Sequence, residues 1–324
     1  MISKKRFGVF LFKIFALILV AIGIASFVQS AMRELHREDV SKLSLHPFWI
    51  LASLLFCTMG LVAWGSFWRS ALSQFGHPLP VAPVLGSYFL GHLGKYVPGK
   101  AMVILLRSSS LLRYHVPISV SVVSVFLETL IMMASGSTLG GIALSLHNAS
   151  TSMVGMALLF ALLAATPTAP PLMKRCLTWI AQRRKGALNF AFLIGLDWKL
   201  IAVGWGKSSL GWLLTIVSLW CLLRGILPTE SNRSLFDSEL WLACGSAATL
   251  SVVAGFVSML PGGAGVREYI LLLSLAPIIG NGPALVAAVG MRLVSLASET
   301  IGYVLFTWAS HRNLSTKYNG ASPH

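Results

Sequence analysis

Acidic residues are scarce in this sequence. Its 324 residues include 10 Asp and Glu against 25 Lys and Arg, which gives a formal net charge of +15 at pH 7. Charged residues make up 11% of the chain and hydrophobic residues 56%, and the mean hydropathy is +0.77. This balance excludes a water-soluble globular domain and indicates a polytopic membrane protein. We attribute the excess of Lys and Arg to cytoplasmic loops and contact with anionic lipid, and not to nucleic-acid binding.

The sequence also lacks the motifs of metal and nucleotide sites. Its 4 cysteines have no CxxC or other paired spacing, so we predict no disulfide and no metal site. His92 and His115 are not part of an HExxH motif, and the sequence contains no GxSxG, Walker A or GxGxxG motif. These absences argue against a metalloenzyme, an ATP-driven pump and a nucleotide-cofactor enzyme. We therefore predict no catalytic residue and no cofactor.

Long apolar runs predict the membrane spans. About 20 apolar residues at ~1.5 Å per residue cross the hydrocarbon core of a bilayer. The first run follows Lys4, Lys5 and Arg6 and contains Lys13, and it is too long for the core of an ordinary signal peptide, so we interpret it as an uncleaved span. The full spans are predicted at residues 8–28, 48–68, 118–146, 153–169, 208–227 and 283–309.

Proline and glycine interrupt a further apolar stretch where a helix would otherwise continue. Residues 258–268 read Ser-Met-Leu-Pro-Gly-Gly-Ala-Gly-Val-Arg-Glu. Pro261 removes a backbone donor, and Gly262 and Gly263 let the chain turn at little steric cost. Irregular backbone at membrane depth is tolerated where protein or a water-filled cavity surrounds it. We therefore predict a broken helical hairpin over residues 240–279.

A second copy of this design occurs earlier, at residues 95–100, which read Lys-Tyr-Val-Pro-Gly-Lys. Residues 79–96 before it are apolar, and the apolar run after it, residues 101–112, is too short to cross a membrane alone. We predict a hairpin over residues 79–113 that enters and leaves the membrane on the same side.

Loop charges predict the orientation. Residues 174–207 hold seven Lys and Arg against one acid, which predicts a cytoplasmic loop, whereas the acidic loop 228–239 is predicted outside. Both termini are then cytoplasmic. The halves 1–150 and 151–324 each hold two spans, a broken hairpin and a charged span, in opposite orientations. We predict one transmembrane domain built as an inverted repeat, a known transporter design.

Charged residues lie inside these spans and hairpins, where charge is costly and is usually functional. Five are basic and three are acidic, and the surplus of positive charge favours an anionic ligand such as a phospholipid or polyprenyl-phosphate headgroup. The predicted binding residues, including those of the second break, are Lys95, Lys100, Arg107, Glu128, Pro261, Gly262, Gly263, Arg267, Glu268, Arg292 and Glu299.

Each charge also has a structural interpretation. The basic residues of the first hairpin are long enough to extend to the membrane surface instead of binding a ligand. The repeat makes Glu128 and Arg292 pseudo-equivalent, and we expect them to meet near the membrane centre. They would form either an ion pair that ties the halves together or part of the binding site. Glu268 at a helix start suits a capping role as well as a coupling role.

Residues 258–268, with Arg292 in the next span, resemble the transmembrane-region family of lysylphosphatidylglycerol synthase, which are flippase-like integral membrane proteins. Residues 95–100, with Arg107 and Glu128, resemble the first motif of that family, and the resemblance covers nearly the whole chain. It implies a polytopic bundle with re-entrant helices that translocates lipid between leaflets. We expect no lipid aminoacylation, because the aminoacyl-transferase domain of the full synthase is absent from this sequence.

Together these patterns predict an all-α membrane helix bundle with about six full spans and two re-entrant hairpins in the inner membrane. We expect it to translocate an anionic lipid headgroup, with a homo-oligomer possible. Two alternatives are a lipid-modifying or glycolipid-modifying transferase and a non-transporting scaffold. Asp197 and Glu268 are the only plausible general bases for the transferase.

Overall fold

The computed structural model describes residues 45–96, 101–147, 149–183, 191–227 and 237–319, with side chains as far as residue 312. These ranges are helical and contain no strand, which confirms the predicted all-α class. Both Lys100 and the predicted first span, residues 8–28, lie outside the described residues. The described α-helices are α1 Pro47–Gln74, α2 Val81–Leu93, α3 Ala101–Leu112, α4 Ile118–Leu146, α5 Thr151–Ala165, α6 Pro170–Arg183, α7 Trp198–Ile226, α8 Ser238–Val257, α9 Val266–Ile279 and α10 Asn281–Asn319.

Seven helical segments of the described ranges are long and apolar enough to cross a membrane, judged by length and composition. Five of them contain or coincide closely with predicted spans. The other two are the arms of the second predicted hairpin, so each of those arms is itself long enough for a crossing. The segments are Pro47–Gln74, Ile118–Leu146, Thr151–Thr168, Trp198–Ile226, Ser238–Val257, Pro261–Ile279 and Asn281–Arg312.

The helix α7 begins ten residues before the predicted span, inside the stretch predicted as a basic loop. Asp197 causes this early start, because its carboxylate accepts a hydrogen bond from the backbone N–H of Leu200 at 2.7 Å and caps the helix. Lys207 is accommodated because its ammonium donates to the Ser70 hydroxyl at 2.8 Å and to the Ser66 carbonyl at 3.2 Å. A basic residue inside α7 is therefore compatible with packing in the bundle.

Both predicted hairpins fold as two helices joined by an irregular turn and packed side by side. In the first, α2 and the 3₁₀ turn Gly94–Tyr96 pack against α3. Gly91 lies against Arg107, and Gly94 lies against Leu106 and Met102, so the two arms run antiparallel. In the second, α8 and α9 pack together across the 3₁₀ turn Pro261–Gly263. A long helix follows each hairpin, α4 after the first and α10 after the second. The inverted orientation of this repeat stays a prediction.

The main apolar core lies between α1, α2, α4 and α7, so it contains residues of both halves. Its largest fully buried side chains are aromatic, and their polar atoms find partners inside the bundle. The indole N–H of Trp212 donates to the Met132 carbonyl at 2.9 Å, and that of Trp68 donates to the Ser124 hydroxyl at 2.9 Å. These bonds orient large side chains where water is excluded.

Two glycines of α4 allow neighbouring helices to approach closely. Gly136 and Gly140 have the GxxxG spacing that suits tight helix packing. A Cβ at Gly136 would lie 2.5 Å from the Trp212 ring of α7, and one at Gly140 would lie 2.6 Å from the Thr249 hydroxyl of α8. The two glycines therefore serve two different partner helices.

Gly136→Ala is expected to lower the free energy of unfolding by about 1–3 kcal/mol, because the added methyl group overpacks the Trp212 contact. Unfolding in mixed detergent and SDS micelles measures this change. Gly155→Ala in α5 is the matched control, since nothing lies within 4 Å of the position where its Cβ would be. Equal stability of the two variants would contradict the packing role.

Candidate functional site

The two Pro-Gly regions of the sequence meet in the structure. We call residues 94–96 the first break and residues 258–265 the second break. The turn Gly94–Tyr96 contacts the turn Pro261–Gly263. A Cβ added at Gly262 would lie 3.0 Å from the Tyr96 ring and 3.0 Å from Nη2 of Arg292. The contact between the breaks therefore requires glycine at position 262, where φ is +58°.

The second break positions a helix N-terminus at this contact. After α8 ends, the chain passes through several left-handed backbone conformations, at Met259, Gly262, Gly263 and Gly265. The N–H of Gly265 then donates to Oε2 of Glu268 at 2.7 Å as α9 begins. This bond is a helix cap, so the predicted capping role of Glu268 is observed.

Arg292 of α10 joins the second break to the first. Its Nη1 donates to Oε1 of Glu268 at 2.8 Å and to the Gly262 carbonyl at 3.0 Å. Its guanidinium carbon lies 5.4 Å from the centre of the Tyr96 ring. Its Nη2 is buried and has no hydrogen-bond partner in the described part of the chain. Arg292 therefore has one unused donor group at the meeting point of the two breaks.

Lys95 of the first break reaches across to α10. Its ammonium donates to Oε1 of Glu299, whose side chain is 1% exposed. Nδ1 of His92 lies 3.7 Å from the same oxygen. The other oxygen of Glu299, Oε2, is buried and has no hydrogen-bond partner among the described residues. Because Lys95 and Glu299 belong to opposite halves of the chain, this pair ties the halves together.

Arg107 of α3 forms a fully buried pair with Glu128 of α4. Its Nη1 donates to Oε2 of Glu128 at 2.8 Å, and the two side chains are 3% and 2% exposed. The Tyr88 hydroxyl donates to Oε1 of Glu128 at 3.0 Å. The guanidinium of Arg107 also lies 4.1 Å from the Tyr88 ring centre and 5.1 Å from that of Trp68. The interpretation of Arg107 as a residue that extends to the membrane surface is therefore wrong.

The expected meeting of Glu128 with Arg292 is also wrong. Glu128 pairs with Arg107, 21 residues earlier, and Arg292 pairs with Glu268, 24 residues earlier. In each half the partner lies on the second arm of the hairpin that precedes the long helix. In the first half that arm carries the cation and the long helix the carboxylate, whereas in the second half the arm carries the carboxylate and the long helix the cation. The pairing is local because that arm packs directly on the following helix.

These three pairs leave one cation of the described site without a carboxylate. No Asp or Glu of the described residues lies within 4.0 Å of the Arg267 guanidinium. Its side chain packs along Gly255 and Gly263, and it lies in the first turn of α9 beside the second break. The described part of the site thus carries one uncompensated positive charge.

Sequence reasoning missed Tyr88 and Tyr96 and left His92 without a role in the site. The rings of Tyr88 and His92 contact each other at a tilt of 42°, with their centres 4.7 Å apart. Tyr96 contacts the second break. The three residues recur at every fourth position, which places successive members on one helix face. That spacing is the signal in the sequence that predicts an aromatic stripe linking Glu128 to Glu299.

The described residues provide little for metal binding or for acid–base catalysis. Those residues include no group of three His, Cys, Asp or Glu side chains arranged to hold a metal ion. Both candidate general bases are engaged. Asp197 caps α7, and Glu268 accepts hydrogen bonds from Gly265 and Arg292.

Comparisons with known proteins give a family for the chain. No curated protein matches it. The family described as Lysylphosphatidylglycerol synthase TM region matches residues 8–301. The matched stretch includes both breaks and all the charged residues of the site, and it confirms the resemblance identified from the sequence. The chain therefore belongs to the lysylphosphatidylglycerol synthase transmembrane-region family and is a multi-pass membrane protein related to lipid handling.

Proposed function

We propose that this protein binds the anionic headgroup of a lipid where its two breaks meet and moves that headgroup across the inner membrane. The proposal rests on two cationic side chains at this contact whose charge or hydrogen-bond donors are not fully matched by the described residues. Arg267 has no carboxylate within 4.0 Å among the described residues, and Nη2 of Arg292 has no hydrogen-bond partner there. A phosphate supplies both the missing negative charge and the missing acceptors.

The start of α9 adds to this positive potential. A helix N-terminus carries a partial positive charge and unpaired backbone N–H groups, so it is a favourable place for a phosphate. Arg267 lies in the first turn of α9, next to the second break. Broken helices whose N-terminal ends point at an anionic substrate are a recurrent feature of transporters.

Translocation requires the site to open alternately toward the two leaflets. The contact between the breaks and the Lys95–Glu299 pair both join the two halves of the chain. The Arg107–Glu128 and Arg292–Glu268 pairs instead lie within one half each. Movement of one half against the other would separate the first set of contacts and preserve the second. In this proposal the two breaks separate while each charged hairpin arm stays paired with its own long helix.

We further propose that the protein lies in the inner membrane with both termini in the cytoplasm. Basic residues near α6 support this orientation, because cytoplasmic segments of membrane proteins carry an excess of Lys and Arg. Lys174, Arg175 and Arg183 lie on α6, which has no acidic residue. Substituted cysteines on α6 should react with impermeant thiol reagents only when the cytoplasmic side is accessible.

Arg267→Gln and Arg292→Gln are expected to slow lipid translocation by about ten- to a hundredfold. Each removes a charged donor whose hydrogen bond to phosphate is worth about 1.5–3 kcal/mol, and 1.4 kcal/mol corresponds to a factor of ten. The assay follows a fluorescent anionic phospholipid in liposomes that contain the purified protein, with an impermeant quencher added outside.

Arg113→Gln is the matched control for this assay. Arg113 is an exposed arginine at the end of the first hairpin, away from the second break, and its guanidinium lies 5.1 Å from the Tyr114 ring. It should translocate lipid at the wild-type rate. If both site variants fold normally and retain the wild-type rate, the proposed site is wrong. If the wild-type protein translocates no anionic lipid, the proposed transport activity is wrong.

A further inference from the structure

Three polar atoms at the contact between the breaks are buried and lack a hydrogen-bond partner in the described part of the chain. They are Nη2 of Arg292, the hydroxyl of Tyr96 and Oε2 of Glu299; Nδ1 of His92, which also lacks a partner there, lies 3.7 Å from the other oxygen of Glu299. The first is a donor, the second can donate or accept, and the third is a carboxylate acceptor. Buried polar groups without partners are rare in folded proteins because each costs free energy. Their concentration at one place indicates that a ligand supplies the missing partners.

The three atoms are arranged along one side of α10. Glu299 follows Arg292 by seven residues, so both side chains leave the same face of the helix, with backbones about 10 Å apart. Tyr96 lies between them. Its ring centre is 5.4 Å from the Arg292 guanidinium and 5.1 Å from the Lys95 ammonium, which is bonded to Glu299. A ligand that satisfies all three needs an acceptor at one end and a donor at the other.

We infer that Glu299 selects a phosphodiester headgroup that carries a free hydroxyl, such as a glycerol, inositol or sugar phosphate. This inference rests on the proposed function and names the class of its substrate. The phosphate accepts from Arg292 and Tyr96, and the hydroxyl donates to Oε2 of Glu299. In this conformation the three atoms are buried, and Tyr96 contacts Gly262. The headgroup enters as the two breaks separate and takes the place of that contact.

A hydroxyl suits Glu299 better than a second ammonium does. Oε1 of Glu299 already accepts from Lys95, whose positive charge neutralises the carboxylate. Nδ1 of His92 also lies beside this oxygen, at 3.7 Å. An ammonium group placed on Oε2 would stand close to Lys95 and be repelled by it. A neutral hydroxyl makes the hydrogen bond without that repulsion.

The test compares lipids that differ only in the headgroup donor. Phosphatidylglycerol and phosphatidylmethanol are both phosphodiesters with one negative charge, and only the first has hydroxyl groups. Their affinities for the purified full chain in nanodiscs are measured by competition with a fluorescent phosphatidylglycerol. The wild-type protein is expected to prefer phosphatidylglycerol about tenfold, which corresponds to one hydrogen bond to a charged acceptor. Phosphatidylethanolamine should bind more weakly than phosphatidylglycerol.

Two conservative variants separate the roles of the two ends of the site. In Glu299→Gln, Lys95 holds the amide oxygen, so the amide NH₂ replaces the free carboxylate oxygen. The preference for phosphatidylglycerol should then fall to about twofold, while phosphatidylmethanol binds as tightly as before. Arg292→Lys should weaken both lipids by a similar factor and leave their ratio near tenfold, because it alters the phosphate end.

The outcomes distinguish this inference from the proposed function. Equal binding of the two lipids by the wild-type protein, or an unchanged preference in Glu299→Gln, would overturn the role of Glu299 and leave the anionic-lipid site intact. Tighter binding of phosphatidylethanolamine than of phosphatidylglycerol would also overturn it, in favour of an ammonium headgroup. Failure of every anionic lipid to bind would overturn the inference together with the proposed function.

Discussion

Arg107→Met is expected to lower the free energy of unfolding by about 3–5 kcal/mol, because it leaves the Glu128 carboxylate without its cation inside the bundle. Both side chains are almost completely buried, and the pair is joined at 2.8 Å. The Tyr88 hydroxyl at 3.0 Å remains as a donor, but it carries no charge to balance the carboxylate. Unfolding of the purified protein in mixed detergent and SDS micelles measures the loss.

The double variant Arg107→Met and Glu128→Met distinguishes an ion-pair effect from a packing effect. Replacement of a buried pair by apolar residues of similar volume is often nearly neutral, so the double variant should regain most of the lost stability. Arg113→Met, at an exposed position, should unfold like the wild-type protein. A single variant as stable as the wild type would contradict the stabilising role of the buried pair.

Gly263→Ala is expected to lower the free energy of unfolding by about 2–5 kcal/mol. A Cβ at this position would lie 2.8 Å from the Cα of Gly255, and φ is +66°. The left-handed backbone costs an alanine about 1–2 kcal/mol. The contact with the α8 backbone adds about 1–3 kcal/mol of overpacking, since neither backbone can move without separating the two arms of the hairpin.

Gly265→Ala isolates the backbone contribution to this loss. Gly265 also has a positive φ, +82°, but nothing lies within 4 Å of its Cβ position. We therefore expect this variant to lose only about 1–2 kcal/mol in the same assay. If the two alanine variants unfold alike, the close approach of Gly263 to Gly255 contributes nothing to the stability of the second hairpin.

The spans and breaks follow from local sequence. Runs of apolar residues about 20 long form helices in a membrane because the backbone must satisfy its own hydrogen bonds there. The two described breaks occur where Pro and Gly residues cluster, as at Pro261 and Gly262, because together these residues remove a backbone donor and favour non-helical backbone conformations. The GxxxG spacing of Gly136 and Gly140 likewise indicated close helix packing, although not which helices would pack there.

The identities of the charged residues at the site were also evident from the sequence alone. Lys95, Arg267 and Glu299 stand out because charge inside apolar segments is rare. Their partners were not evident. Glu128 was expected to meet Arg292 on the strength of an internal repeat, and each instead pairs with the arm of its own hairpin. The repeat relates positions in the two halves and does not specify which of them touch.

The amino-acid sequence by itself therefore determined the membrane class, the helices, the two breaks and the family of this protein. Those features depend on composition and on neighbours within a few residues. The tertiary structure alone decided that the two breaks touch, that Tyr96 lies against Gly262, and that Arg267 has no carboxylate within 4.0 Å among the described residues. Such contacts join residues more than a hundred positions apart, and they arise because α10 packs against the first hairpin and the second at once.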